Sequence, residues 1–364
     1  MDALRTPDLE HYLESRWGTP TRILRSIPLG TPGPADAKGF GYGVPLRIDV
    51  ETQGTVRSVV LETMSANSFG HEHWTDRAQS LLWSHSAFNA LPRHVSSIDV
   101  GVVQNSGSLI SLGDADEGFI LTEFVQGQPY ANDLARIRDE GVGEDLDFAR
   151  ADALCDYLLE IHQVRGTEPG LYVRRVRELL GHGECIMGIL DSYPQGRGFL
   201  SAATLEEIER RVVAWRWTLK PRTHRLRQVH GDFHPWNILF RKETDFTVLD
   251  RSRGEWGDPA DDLTCLTLNY AFFSLQKQGA VTGDLERMFH RFWTRYLQAS
   301  GDEELLEVAA PFLTFRALVM ANPLWYPRLE ESIRSGLLRF CLRVLEAPRF
   351  DPARIRSYLE VDDD

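Results

Sequence analysis

The sequence of 364 residues carries 53 acidic and 40 basic side chains, for a formal net charge of −13. An excess of that sign argues against a protein that wraps nucleic acid or lies on an anionic membrane, since both need a basic surface. With 42% hydrophobic residues, 29 glycines and 18 prolines, the composition excludes collagen-like and low-complexity chains and is that of an ordinary globular protein, long enough for a sizeable core.

The opening stretch MDALRTPDLEHYLES places acids where a signal peptide needs a basic end and an apolar run, and no apolar run approaches the roughly 18 residues of a membrane span. A cytoplasmic protein is expected. Cys155, Cys185, Cys265 and Cys341 form no CxxC pair and read as buried thiols. Only four lysines, Lys38, Lys220, Lys242 and Lys277, stand beside 36 arginines, so a role that requires lysine has few candidates.

From Thr21 to about Val125 the pattern favours strands. VPLRIDVE (44–51) and VRSVVLET (56–63) are β-rich runs joined by Thr52-Gln53-Gly54, a hairpin signal. One helix follows, with Thr75 as N-cap and Ala78, Leu81, Leu82, His85 and Phe88 on one face. SIDVGVV (97–103), SLISL (108–112) and FILTEFV (119–125) read as further strands, the last two separated by the turn GDADEG. From Asn132 onward helices dominate. Ala151, Leu154, Cys155, Leu158 and Ile161 form one amphipathic face, and Leu205, Ile208, Val212, Trp215 and Leu219 another, opened by a capping box from Thr204 to Glu207. Three more helices are expected after residue 284, one bent by Pro311. The aromatic tracts WRW (215–217) and ANPLWYP (321–327) read as core rather than as a pocket lining. A single strand-like island survives in this half: NILF (237–240), the loop RKETD, and FTVLD (246–250). The expected architecture is α+β, with a sheet-bearing N-terminal lobe over residues 1–126 and a helical C-terminal lobe over 127–364.

That island is preceded by HGDFHPWN (230–237). A short antiparallel hairpin brings its two ends together, so Asn237 and Asp250 are expected to meet, with Asp232 on the loop entering the same end. Two carboxylates and an amide oxygen are hard ligands of the kind that suits Mg²⁺. The spacing His230-x-Asp232-x-x-x-x-Asn237, followed by Asp250 on a strand, matches the kinase order of catalytic base, metal-binding amide and metal-binding aspartate. Phosphoryl transfer to an alcohol needs those parts: a carboxylate to orient the hydroxyl, and cations to hold the phosphates.

The segments HGDFHPWNILF and FTVLDRSRGEWGDPADDL, with support from FILTEFVQGQPY and from LLEIH (158–162), resemble the aminoglycoside phosphotransferase and choline kinase-like enzymes, relatives of protein kinases. The resemblance is specific over roughly residues 118–265. It implies a protein kinase-like two-lobe fold, ATP or GTP with Mg²⁺ as cofactors, and a small-molecule hydroxyl substrate. Asp232 would be the catalytic base and Asn237 and Asp250 the metal ligands. His230 would shape the loop, and Asp262 would hold it through backbone hydrogen bonds, its alternative being an N-cap for the next helix. FILTEFV would lead into a hinge where backbone groups of Glu123, Phe124 and Val125 meet the adenine.

The chain departs from that pattern in three places. Gly39, Gly41 and Gly43 of KGFGYG stand where a phosphate-covering loop belongs, without GxGxxG spacing. Glu62 occupies the strand position at which the family carries a phosphate-binding lysine. Two repairs are conceivable: Lys38 reaches in from the glycine loop, or Arg77 pairs with Glu62 and leaves the phosphates to Mg²⁺ and backbone amides. Third, Arg251 and Arg253 follow Asp250, either as its salt-bridge partners or as receivers of an anionic substrate group. Two other functions compete. GHEH (70–73) resembles one element of metallophosphoesterases but lacks companion motifs, so His71 and His73 read as loop histidines. A pseudokinase, binding nucleotide or partner without turnover, draws support from Glu62. The acceptor, a small metabolite or an aminoglycoside-like molecule, is not readable: an aminoglycoside would fit the acidic total, whereas RWTLKPRTHRLRQ (216–228) and Arg251 make the neighbourhood locally basic.

Overall fold

The computed structural model describes residues 5–29, 41–194 and 199–360. The chain divides into two compact units, residues 1–122 and 123–364.

In the first unit, helix α1 (Thr6–Trp17) precedes strands β1 (Thr21–Pro28), β2 (Leu46–Thr52) and β3 (Thr55–Leu61), which form an antiparallel sheet in the order β1-β2-β3. The β2–β3 hairpin turns at Gln53 and Gly54, both with positive φ, as a two-residue turn matched to strand twist requires. Leu9 and Leu13, one helical turn apart on α1, pack with Ile48 and Val50 of β2 to form this unit's core. Between those two, Asp49 points to the other face, where Ser58, Arg25 and Arg47 hold its carboxyl below the usual range. Helix α1 was not anticipated; its signals are Pro7 in the first turn, the Leu9/Leu13 spacing and a closing Gly18.

Helix α2 (Trp74–Ala90) starts earlier than expected, because His73 rather than Thr75 caps it in a reciprocal box with Asp76. Strands β4 (Gly101–Val103) and β5 (Leu109–Ser111) form a separate two-stranded ribbon. FILTEFV forms no strand. Phe119, Ile120, Leu121 and Phe124 are each more than four-fifths exposed. Apolar and β-branched content favours a strand only where a neighbouring edge supplies ladder partners, and among the described residues none pairs with this segment.

The second unit opens with β6 (Gln128–Pro129), then helices α3 (Tyr130–Glu140), α4 (Asp145–His162), α5 (Pro169–Gly181), α6 (Ile186–Asp191) and α7 (Ala202–Leu219). Ser201, not Thr204, caps α7, accepting the Thr204 N–H at 3.0 Å. Short strands β7 (Arg227–Gln228), β8 (Ile238–Phe240), β9 (Phe246–Val248) and β10 (Trp256–Gly257) follow, with β6-β8-β9 as one antiparallel sheet and β7 paired to β10. Helices α8 (Pro259–Gln278), α9 (Gly283–Ser300), α10 (Leu305–Ala321), α11 (Glu331–Glu346) and α12 (Ile355–Leu359) complete the unit, and Pro311 lies inside α10.

Helix α8 is the axis of this unit. From Leu263 to Leu275 every residue is buried; Thr264, Thr267 and Asn269 donate to carbonyls one turn back, and Oδ1 of Asn269 is left without a partner. A helix apolar on all sides has no 3.6-residue pattern, so periodicity does not reveal it. All four cysteines are buried free thiols. No helix among the described residues is long and apolar enough to cross a membrane.

Candidate active site

The expected β8–β9 hairpin forms, with Ile238 opposite Val248 and Phe240 opposite Phe246, a register that sets Asn237 against Leu249 rather than Asp250. One more bond extends it beyond the strands: the Leu249 N–H donates to the Asn237 carbonyl at 2.8 Å. This brings Asp250 to the same open end as Asn237. Asp250 has φ +54°, a left-handed conformation rare outside glycine and favoured among the rest by Asp and Asn. Its exposed carboxylate forms no ion pair or hydrogen bond among the described residues. The Asn237 amide donates to the Asp232 carbonyl at 3.1 Å, which leaves its oxygen free to accept or to ligate.

The loop from His230 to Asn237 is anchored from below. Asp262, wholly buried in the first turn of α8, accepts the N–H of His230 at 2.8 Å and of Gly231 at 2.7 Å. It also accepts from Nε2 of His162 at 3.1 Å, while the Tyr296 hydroxyl meets Nδ1 of the same ring at 2.7 Å. Burial raises the Asp262 carboxyl, and these donors outweigh it, holding the group below its ordinary range. The helix cap is instead Asp258, which accepts from the Ala260 N–H and is clamped by Arg225 and the Tyr172 hydroxyl. Gly231 has φ +87°, and a Cβ there would lie 3.3 Å from the Arg253 side chain, so any other residue would be strained. Phe233, fully buried against Tyr157, pins the middle of the loop.

Asp232 is held by a residue the sequence reading missed. Arg316, buried on α10, donates from Nη1 to Oδ1 of Asp232 at 2.6 Å. Its Nη2 reaches the Gly231 carbonyl at 3.0 Å and the Asp261 carboxylate at 2.7 Å. Among the described residues, Oδ2 of Asp232 has Nε2 of His234 at 3.7 Å as its one charged partner. Burial pushes the Asp232 carboxyl up, and the charges of Arg316, Arg253 and His234 more than reverse this, so it stays ionised below the normal carboxylate range. Asp261 moves the other way, raised by burial and by its neighbour Asp262 against the pull of Arg316. Arg316 lies in an apolar helix 84 residues from its partner, and no local motif marks it.

The remaining candidates scatter. Arg251 directs its guanidinium to the carbonyls of Val229 and Glu255 and is a strut for the loop, not a partner of Asp250. Arg253 forms no ion pair among the described residues; it lies over Phe315, which it shares with Arg316, and contacts Sγ of Cys185. His230 is buried with Nε2 unpartnered, and its Nδ1 accepts the Asp232 N–H. Glu123, Phe124 and Val125 lie in the segment without secondary structure, on the second unit's side of the division. Lys38 and Gly39 lie outside the described residues. Gly41 is exposed, whereas Gly43 packs so closely on Thr63 that a Cβ would fall 2.0 Å from its carbonyl oxygen. Glu62 is exposed just past β3, and Arg77 does not pair with it, donating instead to the carbonyls of His71 and Glu72. His73 is the cap of α2 and His71 bonds Asn67, and among the described residues neither is part of a group of three potential metal ligands. Residues 216–228 do not line the Asp232 site; Arg222 and Arg225 pair with acids around Glu304 and Asp258.

An α+β chain with a pinned His-Gly-Asp loop, an amide and a second carboxylate on the following hairpin is of the kinase-like fold class. The chain belongs to the phosphotransferase enzyme family, whose model matches residues 93–304, more than half of its length. Its family is one of phosphotransferases. No curated protein matches the sequence. Similar solved structures include an aminoglycoside phosphotransferase with bound ADP (15% identity, 94% of this chain and 98% of that one, TM-score 0.34). Others are an amicoumacin kinase in complex with AMP-PNP, Ca²⁺ and Ami (12%, 95% and 97%, 0.40) and an ethanolamine kinase of Plasmodium vivax (13%, 87% and 77%, 0.33).

Proposed function

We propose that the protein transfers the γ-phosphate of ATP, or of GTP, to a hydroxyl of a small metabolite, with Asp232 as catalytic base. The observation that carries this reading is the state of Asp232: one oxygen is fixed by Arg316, and the other has no tighter neighbour than His234. A carboxylate held below its usual range in this way is ionised at neutral pH. It orients the acceptor hydroxyl through Oδ2 and takes up its proton late, as bonding to phosphorus removes the electrons from that oxygen.

The residues present fit a divalent cation. Asp250 offers an unpaired carboxylate, and Asn237 an amide oxygen without a donor, both at one end of the hairpin; these are the hard donors that Mg²⁺ accepts alongside water and phosphate oxygens. Bound there, the ion would neutralise phosphate charge. Asp262 keeps the loop in place, and backbone groups of Glu123, Phe124 and Val125, unpaired among the described residues, are suited to an adenine edge.

Arg253 decides the character of the acceptor. With Arg316 neutralised by Asp232 and Asp261, Arg253 is the unpaired cation beside the base, which favours a neutral or anionic acceptor over a polycationic aminoglycoside. Exposed Glu62 is the feature that favours a non-catalytic nucleotide-binding protein instead. Measuring ADP release from ATP and Mg²⁺ against an acceptor library of alcohols, sugar acids and amino sugars tests the proposal, and no turnover with any acceptor despite tight nucleotide binding would replace it with that second reading.

A further inference from the structure

Away from Asp232, the second unit contains a cleft of about 440 Å³ whose lining includes His162, Gln163, Arg165, Arg227 and Tyr296. Arg165 and Arg227 stand opposite each other in an antiparallel bridge, an arrangement that places their Cβ atoms about 5 Å apart. Like charges so placed repel. Arg227 donates only to the carbonyls of His224 and Leu226, and Arg165, exposed, forms no ion pair among the described residues.

The acids of the same cleft are already engaged. Asp302 and Glu304 take Arg225, and Glu304 also takes Arg222 and His224; Asp258, behind them, takes Arg225 from the other side. Asp302 and Asp258 still attract Arg227 through space, but among the described residues no acid of the cleft forms an ion pair with either arginine, so the pair is the charge of the cleft without a direct partner. Burial together with the fields of Arg165 and Arg225 makes the Arg227 guanidinium less willing than usual to hold its charge, the strain that an anion would relieve.

The pair sits at a mechanical junction. Arg165 follows His162, the last residue of α4, whose ring bonds Asp262; Arg227 lies just before His230. The two segments are joined by Gly166 N–H to the Leu226 carbonyl at 3.1 Å and by Gln228 N–H to the Val164 carbonyl at 2.9 Å. An anion bridging the guanidiniums would draw these segments together and stiffen the strand that enters the loop.

We propose that Arg165 and Arg227 form a binding site for a small phosphate-bearing polyanion, and that its occupancy tightens the His230–Asn237 loop through β7. The probe is inorganic pyrophosphate, titrated calorimetrically in EDTA at constant ionic strength so that no metal can carry it to Asp250. The expected result is saturable binding by the wild type and by Arg253→Ala, weakened about tenfold in Arg165→Ala, whose exposed side chain is dispensable for folding. Saturation should also slow amide hydrogen exchange over residues 226–231 in the wild type and leave it unchanged in Arg165→Ala. No binding by the wild type, equal affinity in Arg165→Ala, loss in Arg253→Ala instead, or exchange that does not respond to bound pyrophosphate would each overturn the proposal.

Discussion

Arg316 Nη1 lies 2.6 Å from Oδ1 of Asp232, and the same guanidinium reaches Asp261 at 2.7 Å, so one buried cation on α10 serves two carboxylates of the site. Replacing it with methionine strands both acids. Loss of one member of a buried pair costs about 3–5 kcal/mol, and the Asp232 pKa, no longer held down, should rise. Arg316→Met is expected to lower the midpoint of urea unfolding and to shift the acidic limb of kcat/KM to higher pH, whereas Arg316→Lys should restore part of both. A profile that stays in place would show that Arg316 is structural only.

The Asp232 carboxylate should matter for transfer and not for nucleotide affinity. In Asp232→Asn, turnover is expected to fall by roughly 10²–10⁴-fold while ATP affinity stays within a few-fold. Isothermal titration and a coupled ADP assay on the same preparation separate the two quantities. Parallel loss of both would assign Asp232 to the scaffold.

Asp250 gives the complementary outcome. Asp250→Asn tolerates the same left-handed backbone, so thermal stability should hardly change, while Mg²⁺-dependent ATP binding disappears. Asp250→Ala should lose the binding too and pay in addition about 1 kcal/mol for alanine at positive φ. Unaltered calorimetric affinity in Asp250→Asn would remove this carboxylate from the metal site.

Acid should unfold the second unit by protonating its buried acids. Asp258 and Asp262 bind protons less readily folded than unfolded, so their contribution is whole above the unfolded value near 4 and is lost as pH falls through the lower folded values. Asp261, with a raised value, works in the opposite direction. Urea unfolding followed by circular dichroism between pH 7 and 2 should therefore show stability declining below about pH 4. The double variant Asp258→Asn, Arg225→Met should decline less steeply, and an unchanged slope would mean that the pair is not a major acid-sensitive element.

Lys38 remains the candidate for the missing phosphate-binding cation, since Arg77 is committed to carbonyls of the loop before α2. Lys38→Ala should raise the Michaelis constant for ATP and lower kcat. A kinetically silent substitution would leave charge neutralisation to the metal and backbone amides.

The elements that carry a local signal are legible in the sequence. The β2–β3 hairpin follows from Gln53-Gly54 between alternating runs, and the β8–β9 hairpin with Asn237 and Asp250 at its open end follows from the short spacing of its two apolar runs. The part of Asp262 was readable only through the family resemblance, since nothing in DPADDL by itself distinguishes a loop anchor from a cap. FILTEFV misled because its composition is that of a strand, while pairing depends on a partner edge that composition does not report.

Sequence alone determined the chemistry that adjacent residues can hold: a loop whose spacing sets an aspartate, an amide and a second aspartate around one short hairpin, because two-stranded registry is a local property. Tertiary structure alone decided how that chemistry is tuned. Arg316 meets Asp232, His162 meets Asp262, and Arg165 meets Arg227 only after helices and strands distant in the chain have packed. Those meetings are fixed by burial and chain topology, and the strength of each charge there depends on how far the packed core excludes water.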